Sequence, residues 1–357
     1  MPEDRKSYRI AVDCMGGDKG PSEVIAAVRL ALGDLDPADK LVLVGRDAEL
    51  SVLLAKAGLS GDARIEIRDA SEVIMMTDKP MQAIKSKKNA SMMRALDMLK
   101  AGEVDAVVST GNTKVLVGAG TLKLRAMPGA ERPALATIWP RHGGHFIMLD
   151  AGANPEATPE HLVHNAVLGS LFAQSILSIA RPRVGLLTVG TEEGKGGDRI
   201  NKTHALLKSL GDAINYVGPV EGYDLFENAV DVAVTDGFTG NVVLKTSEGI
   251  FHMLQDMIKE RLKRNPLYLL PALCLAPMVL SLRRHLRPES YGGAPLLGLN
   301  GIVFKSHGSA SAKGLASAIR LTRGVLVADI RARSLAALAS ANAAIAAANA
   351  PVAKPAE

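Results

Sequence analysis

Residues 230–249 read VDVAVTDGFTGNVVLKTSEG. The β-branched Val230, Val232 and Val234 fall on one face of a strand, with Ala233 on the other. The apolar run stops at Asp236-Gly237. A Gly/Thr/Asn turn follows, and a helical pattern begins at Asn241 with Lys245 one turn in. In a parallel sheet, ligands sit at the tip of such a strand, against the first turn of the next helix. Glycines let the backbone approach an anion, helix N–H groups point at it, and a lysine neutralises it. An ordinary strand–turn–helix with a solvated lysine has the same pattern.

Working outward, residues 104–114, VDAVVSTGNTK, have a parallel layout: a Val-rich strand, a Ser/Thr end, and a break at Gly-Asn before a helix. If both strands are parallel members of one sheet, Gly111-Asn112 and Gly240-Asn241 share an edge where one site could use both. Other strands are expected at 8–12, 41–44, around Ile65 and Ile67, at 184–189 and at 301–306, with a strand pair at 134–138 and 145–149. Helices are expected at 21–32, from Asp47, from Pro80, at 91–100 and 159–179, and from about Ala310. Tyr291–Leu297, YGGAPLL, reads as turn-rich. From about Ala336 the chain is Ala-rich, which suggests a fraying helix and then a disordered tail.

The chain has 357 residues, net charge +5, 47% hydrophobic residues and 3% aromatics. The core is therefore aliphatic, and a stacking platform for single-stranded nucleic acid is not expected. No basic block suggests a nucleic-acid partner. The charge suits an anionic substrate, an acidic partner or an anionic membrane surface. Cys14 and Cys274 form no disulfide framework. The N-terminus lacks the apolar core of a signal peptide, and no run is long enough to span a bilayer.

Several motifs fail on spacing. GTEEGKGG at 190–197 has three residues between its glycines and Gly196 after the lysine, so it is no Walker A loop. Lys195 remains as a strand-end cation. GxSxG is absent. His161 and His164 are spaced to share a helix face, but no third metal ligand stands with them. Asp13, Asp18, Asp150 and Asp236 could suggest a divalent metal, although strand-end aspartates often cap helices. Residues 266–282, PLYLLPALCLAPMVLSL, are interrupted by Pro271 and Pro277 and flanked by Lys263, Arg264, Arg283, Arg284 and Arg287. Such a segment lies in a membrane interface, in a buried helical hairpin or in a dimer contact.

DCMGGDKGP, TDKPMQAIKSKKNASM, VVSTGNT, RPAL, LDAGAN, EGKGG, TDGFTGN, YGGAPLLG and KSHGSA follow one another between about Ile10 and Ile319. In this order they resemble the bacterial phosphate acyltransferases of phospholipid synthesis. The resemblance implies an α/β fold, with a mostly parallel sheet flanked by helices. This would be Rossmann-like, related to the phosphotransacetylase and isocitrate-dehydrogenase-like folds, with a protruding helical hairpin. One domain over 1–335 is expected, with the hairpin tip at about 250–287 and a tail at 336–357.

The implied reaction moves a long-chain acyl group from acyl carrier protein to inorganic phosphate, with no cofactor and no metal. A membrane glycerol-3-phosphate acyltransferase would use the acyl phosphate. The expected partners are acyl carrier protein, phosphate, a second copy in a homodimer and an anionic membrane surface, with a cytoplasmic location on the inner face of the membrane. Lys85, Lys87 and Lys88 become candidates for carrier docking, and Leu269, Leu270, Leu273, Leu275, Met278 and Leu280 for membrane contact.

Phosphate is already a nucleophile, so the site needs to hold it, stabilise the oxyanion and assist the thiolate. Lys195 and Asn241 are expected to position phosphate or stabilise the oxyanion, and His307 to protonate the thiolate. Gly16, Gly17, Asn112, Thr113, Asp236, Gly240 and Lys245 are expected to line the phosphate and substrate site. The family usually reads SxGNTG where this chain has STGNTK, so Lys114 replaces a small residue. It usually reads GNxEGRD where 218–224 read GPVEGYD. A short-chain phosphotransacetylase using acyl-CoA, and a membrane scaffold without activity, are the alternatives.

Overall fold

The computed structural model describes residues 7–192, 194–268, 273–275, 277–278 and 292–349. Its order begins β1 (Arg9–Asp13), α1 (Pro21–Leu32), β2 (Lys40–Gly45), α2 (Asp47–Lys56), β3 (Ile65–Asp69), α3 (Pro80–Ser86), α4 (Ser91–Ala101), β4 (Ala106–Ser109) and α5 (Thr113–Leu124). It continues with β5 (Ala134–Leu135), β6 (Thr137–Arg141), β7 (Gly144–Leu149), α6 (Pro159–Ile176), β8 (Arg183–Leu187), α7 (Gly197–Ser209), β9 (Asn215–Val220), β10 (Val232–Val234) and α8 (Gly237–Arg264). After a short turn at Pro266–Tyr268 come β11 (Ala294–Leu297), β12 (Ile302–Lys305), α9 (Ala312–Val327) and α10 (Ile330–Asn349).

The strands make two sheets where the sequence suggested one. A seven-stranded sheet runs β3-β2-β1-β4-β12-β11-β5, and a five-stranded sheet runs β6-β7-β10-β8-β9. Strands β3, β2, β1, β4 and β12 are parallel, while β11 and β5 are antiparallel additions. In the second sheet β7, β10, β8 and β9 are parallel and β6 is antiparallel. Consequently the β4 tip with Gly111-Asn112 and the β10 tip with Gly240-Asn241 belong to different sheets. The expectation of one shared sheet edge is corrected.

The chain passes between the sheets through Ala136, whose N–H donates to Pro295 O at 3.0 Å. One apolar cluster includes Val12 and Val108 of the first sheet and Ile147 and Val234 of the second. Helices α1 and α9 pack together beside the first sheet, α4 contacts β1, β2 and β4, and α6 covers β7 and β10.

Three segments differ from the sequence reading. Ala294–Leu297 is a strand, paired by its backbone on both sides despite Pro295. Helix α7 and strand β9 had no counterpart in the sequence reading, because the glycine run before α7 hides its start. The Ala-rich stretch is ordered helix as far as Asn349: Leu338, Ala341 and Ile345 are buried, and α10 packs along α6. Small side chains let the two helices approach closely. The tail expected beyond it, 350–357, lies outside the described residues.

Among the described residues no helix is long and apolar enough to cross a membrane. Leu273, Leu275 and Met278 are exposed, as are Leu267 and Tyr268. Leu269, Leu270 and Leu280 lie outside the described residues.

Candidate active site

Three strand tips of the first sheet converge. Asp18 N–H donates to Gly308 O at 2.9 Å, and Ser306 N–H to Ser109 O at 2.9 Å. The loops after β1, β4 and β12 are thereby laced together. Asp13, almost wholly buried, accepts from the Ser91 and Ser109 hydroxyls, each at 2.6 Å. The Gly16-Gly17 loop runs so close to β4 that side chains cannot be added. A Cβ on Gly17 would stand 2.7 Å from Thr110 Oγ1, and one on Gly16 the same distance from Asp13 Oδ2. Both glycines are therefore required by the close packing of the strand tips.

Lys305 ends β12 and is 8% exposed. Its Nζ lies 3.4 Å from Thr110 O and also contacts Ser306 O. Burial pushes its pKa down to about 8, against the attraction of Asp13 and Asp18, with Lys245 lowering it further.

His307 follows at the exposed tip. Ser309 N–H donates to its Nδ1 at 3.3 Å, and Ser309 Oγ lies 2.8 Å away. A backbone N–H can only donate, so Nδ1 accepts and the neutral ring carries its proton on Nε2. Partial burial, then the charge of Lys305, hold His307 below its usual pKa; Glu248 acts in the opposite direction, followed by smaller effects of Lys245 and Asp18. Lys245 and Glu248 belong to α8. Both act on His307, and Lys245 also on Lys305, because α8 leaves the second sheet facing the tips of the first.

The start of α8 is built by carboxylates. Asp236 caps it, accepting from Thr239 N–H at 2.8 Å, and pairs with Arg199 Nη2 at 2.6 Å. Asp150, at the end of β7, accepts from the N–H groups of Gly152, Ala153 and Asn154, and from Leu135 N–H of β5 at 3.0 Å. It thus links the second sheet to the first. A Cβ on Gly240 would overlap the Asp150 carbonyl oxygen, so only glycine lets α8 rest there. These contacts commit Asp13, Asp150 and Asp236 to the scaffold.

The other expected residues divide. Asn241 packs against Gly152, and Lys245 pairs with Glu248 at 2.8 Å. Asn112 is spent on structure: its Oδ1 caps α5 by accepting from Lys114 N–H and Val115 N–H, and its Nδ2 donates to Met76 O. Thr113 opens α5. Asp236, a capped and paired carboxylate, presents no donor to phosphate. Lys195 is neutralised by Glu192 at 2.5 Å on an exposed turn. His161 completes the cap of α6 and contacts Glu131, while His164 bonds Asn342; they form no metal pair. Lys114 is exposed on α5.

Sequence reasoning passed over Lys305, Thr110 and Arg199. For Lys305 a signal existed: a lysine ending the apolar run Ile302–Phe304 continues a buried strand. Arg199 offered none beyond its place just after GKGG.

The family model described as "Fatty acid synthesis protein" matches residues 8–333. A phosphate acyltransferase from Desulfitobacterium hafniense is 42% identical over 316 residues, covering 88% of this chain and 93% of the relative. One from Paracoccus denitrificans is 40% identical over 348 residues, covering 96% and 93%. Among solved structures, a phosphotransacetylase from Streptococcus pyogenes aligns with TM-score 0.58 at 18% identity, over 96% of this chain and 95% of that one. That likeness speaks for the fold, two Rossmann-like layers of mixed sheet and helix.

Proposed function

The chain belongs to the phosphate acyltransferase family and is an acyltransferase, and from that premise we propose that it transfers a long-chain acyl group from acyl carrier protein to inorganic phosphate for phospholipid synthesis. One observation carries the long-chain reading. Helix α8 begins at the site and then, from Ile250 on, exposes Ile250, Met253, Leu254, Met257 and Ile258. Reaction centre and apolar surface share one rigid element, which suits an amphiphilic substrate and product.

In the reaction, an oxygen of HPO4 2− attacks the thioester carbonyl carbon. The new C–O bond forms, the tetrahedral oxyanion collapses, and the C–S bond breaks. The phosphate proton ends on the sulfur, giving acyl phosphate and free thiol. No side-chain nucleophile is needed. Asn241, on the first turns of α8, stabilises the oxyanion. Nε2–H of His307 hydrogen-bonds the departing thiolate. The Gly16-Gly17 backbone and Lys245 bound the substrate space.

Exposed Lys85 and Lys88, on and just after α3, receive the acidic carrier protein; Met76, just before α3, lies where a Cβ on Gly308 would, so this face adjoins the site. Lys87 is occupied by Asp78 at 2.5 Å. The apolar face of α8 pairs with a second copy around the acyl chain, and the exposed Leu267, Leu273, Leu275 and Met278 meet an anionic membrane. The acyl phosphate then passes to a membrane acyltransferase.

The test is phosphate-dependent release of thiol from palmitoyl-acyl carrier protein by purified protein, beside acetyl-CoA. Release from the carrier substrate with equimolar acyl phosphate is expected. Turnover confined to acetyl-CoA would replace this reading with a short-chain phosphotransacetylase.

A further inference from the structure

Lys305 is a cation without a counter-ion. Its Nζ contacts only carbonyl oxygens, of Thr110 and Ser306, and no carboxylate pairs with it among the described residues. Asp13 and Asp18 act on it through space only. Burying an ammonium is costly unless something carries the opposite charge to it.

Beside it stands a second unsatisfied group. Thr110 is 4% exposed and its Oγ1 is buried with no hydrogen-bond partner. Native structures seldom leave such an oxygen unmatched. The ammonium, the hydroxyl and the Gly16-Gly17 backbone come from the tips of β12, β4 and β1, which the Asp18–Gly308 and Ser306–Ser109 hydrogen bonds hold together. Two donors and a close backbone, with a net need for negative charge, match an oxyanion with several acceptor oxygens.

We propose that Lys305 Nζ and Thr110 Oγ1 bind the phosphate nucleophile at the strand tips of the first sheet, across from the α8 groups that meet the acyl carbonyl. This rests on the phosphate-acyltransferase reading and divides its labour: the first sheet holds the nucleophile, and α8 handles the electrophile. Lys195 is paired with Glu192 on an exposed turn.

The depressed pKa of Lys305 adds a signature. The free ammonium loses its proton near pH 8, and a bound dianion keeps it protonated. Phosphate affinity therefore weakens as pH rises through that value. The groups whose charges act there are Asp13 at the end of β1, Asp18 in the loop after it, Lys245 on α8, and neighbouring His307.

A phosphodiester in the arm of a carrier or coenzyme offers the same chemistry as free phosphate, so both Michaelis constants must be measured. With Lys305→Met, the phosphate KM is expected to rise about tenfold or more, as for loss of one charge-assisted bond, with the acyl-donor KM within about twofold. Thr110→Val should raise phosphate KM severalfold and Thr110→Ser should restore it. The wild-type phosphate KM should climb above about pH 8, and this slope should vanish in Lys305→Met. An unchanged phosphate KM, or a change confined to the acyl-donor KM, would overturn the assignment.

If Lys305→Met does not turn over, phosphate-dependent thermal stabilisation decides. Inorganic phosphate should raise Tm in the wild type and not in the variant, and equal shifts would overturn the site. That measurement needs no acyl substrate, so it stands apart from the reaction reading, which fails only if wild-type protein releases no thiol.

Discussion

Arg199 Nη2 lies 2.6 Å from Asp236 Oδ2, tying the first turn of α7 to the residue that caps α8. Asp236 is 6% exposed while the arginine side chain is 42% exposed. Removing the arginine leaves a covered carboxylate with its capping bonds alone. Arg199→Ala should cost about 1–2 kcal/mol, less than a fully buried pair because one partner reaches water. It should also lower kcat, since α8 presents Asn241. Urea denaturation and initial rates check both; unchanged kcat would make the pair purely structural.

Asp150 takes four N–H groups from two sheets, and its Oδ2 serves Asn154 N–H at 2.6 Å. In Asp150→Asn, the amide nitrogen would have to face a donor. A loss of about 1–3 kcal/mol follows from one buried donor left unmatched. Gly240→Ala should be tolerated less well for activity than for stability, because α8 must back away from the Asp150 carbonyl. Thermal melts beside kcat for both variants check this.

How far the sequence spoke depends on the kind of interaction. The unit from Val232 through α8 was legible because its apolar alternation and helical period are local, but the helix starts at Gly237 and not at Asn241: the Asp236 cap makes the expected glycine turn the helix's first turn. The division into two sheets was not: buried parallel strands such as β4 and β10 look alike, and nothing local names the neighbour strand. Asn112 and Asp236 were read as ligand groups because capping and binding use the same residue types at the same place. Lys305 was missed since its meaning lies in missing counter-charge, which only tertiary packing reveals.

The C-terminal helix tests a reading that composition misled. Leu338 is fully buried, and Asn342 bonds both His164 at 2.7 Å and Gly129 O at 2.8 Å. Chains ending after 335 should lose most of the stability that chains ending after residue 349 keep. Leu338→Ala alone should cost about 2–4 kcal/mol. Equal melting of the two truncations would show α10 to be dispensable.

The exposed face of α8 recurs at Ile250, Met253, Leu254, Met257 and Ile258, a helical seam with nothing covering it among the described residues. Met253→Glu with Met257→Glu removes no buried contact within one chain, so fold and melting should survive. Sedimentation should show the proposed dimer falling to monomer. Leu273→Glu with Leu275→Glu should instead spare the dimer and weaken flotation with anionic vesicles. A dimer surviving the first pair would move the seam elsewhere.

Lys305 and His307 both have depressed pKa values in the fold, and the signs follow from proton counting. For Lys305, between about 8 and the unfolded value of 10.5 the unfolded chain binds more protons than the native one. Stability contributed by this site therefore rises with pH across that window, and the penalty is full below about 8. For His307, the same logic puts a smaller rise just below 6.5. Tyr216 opposes at the alkaline end, because burial raises its pKa and its ionisation favours unfolding above 10. The clean comparison is therefore wild type against Lys305→Met, in which Tyr216 and His307 cancel. Urea midpoints should favour Lys305→Met most at neutral pH, with the gap closing from about pH 8 towards 10. Phosphate added at neutral pH should narrow the same gap by giving the wild-type ammonium its counter-ion. A gap constant with pH would mean that Lys305 keeps its proton throughout, paired with a charge that the unliganded fold does not display.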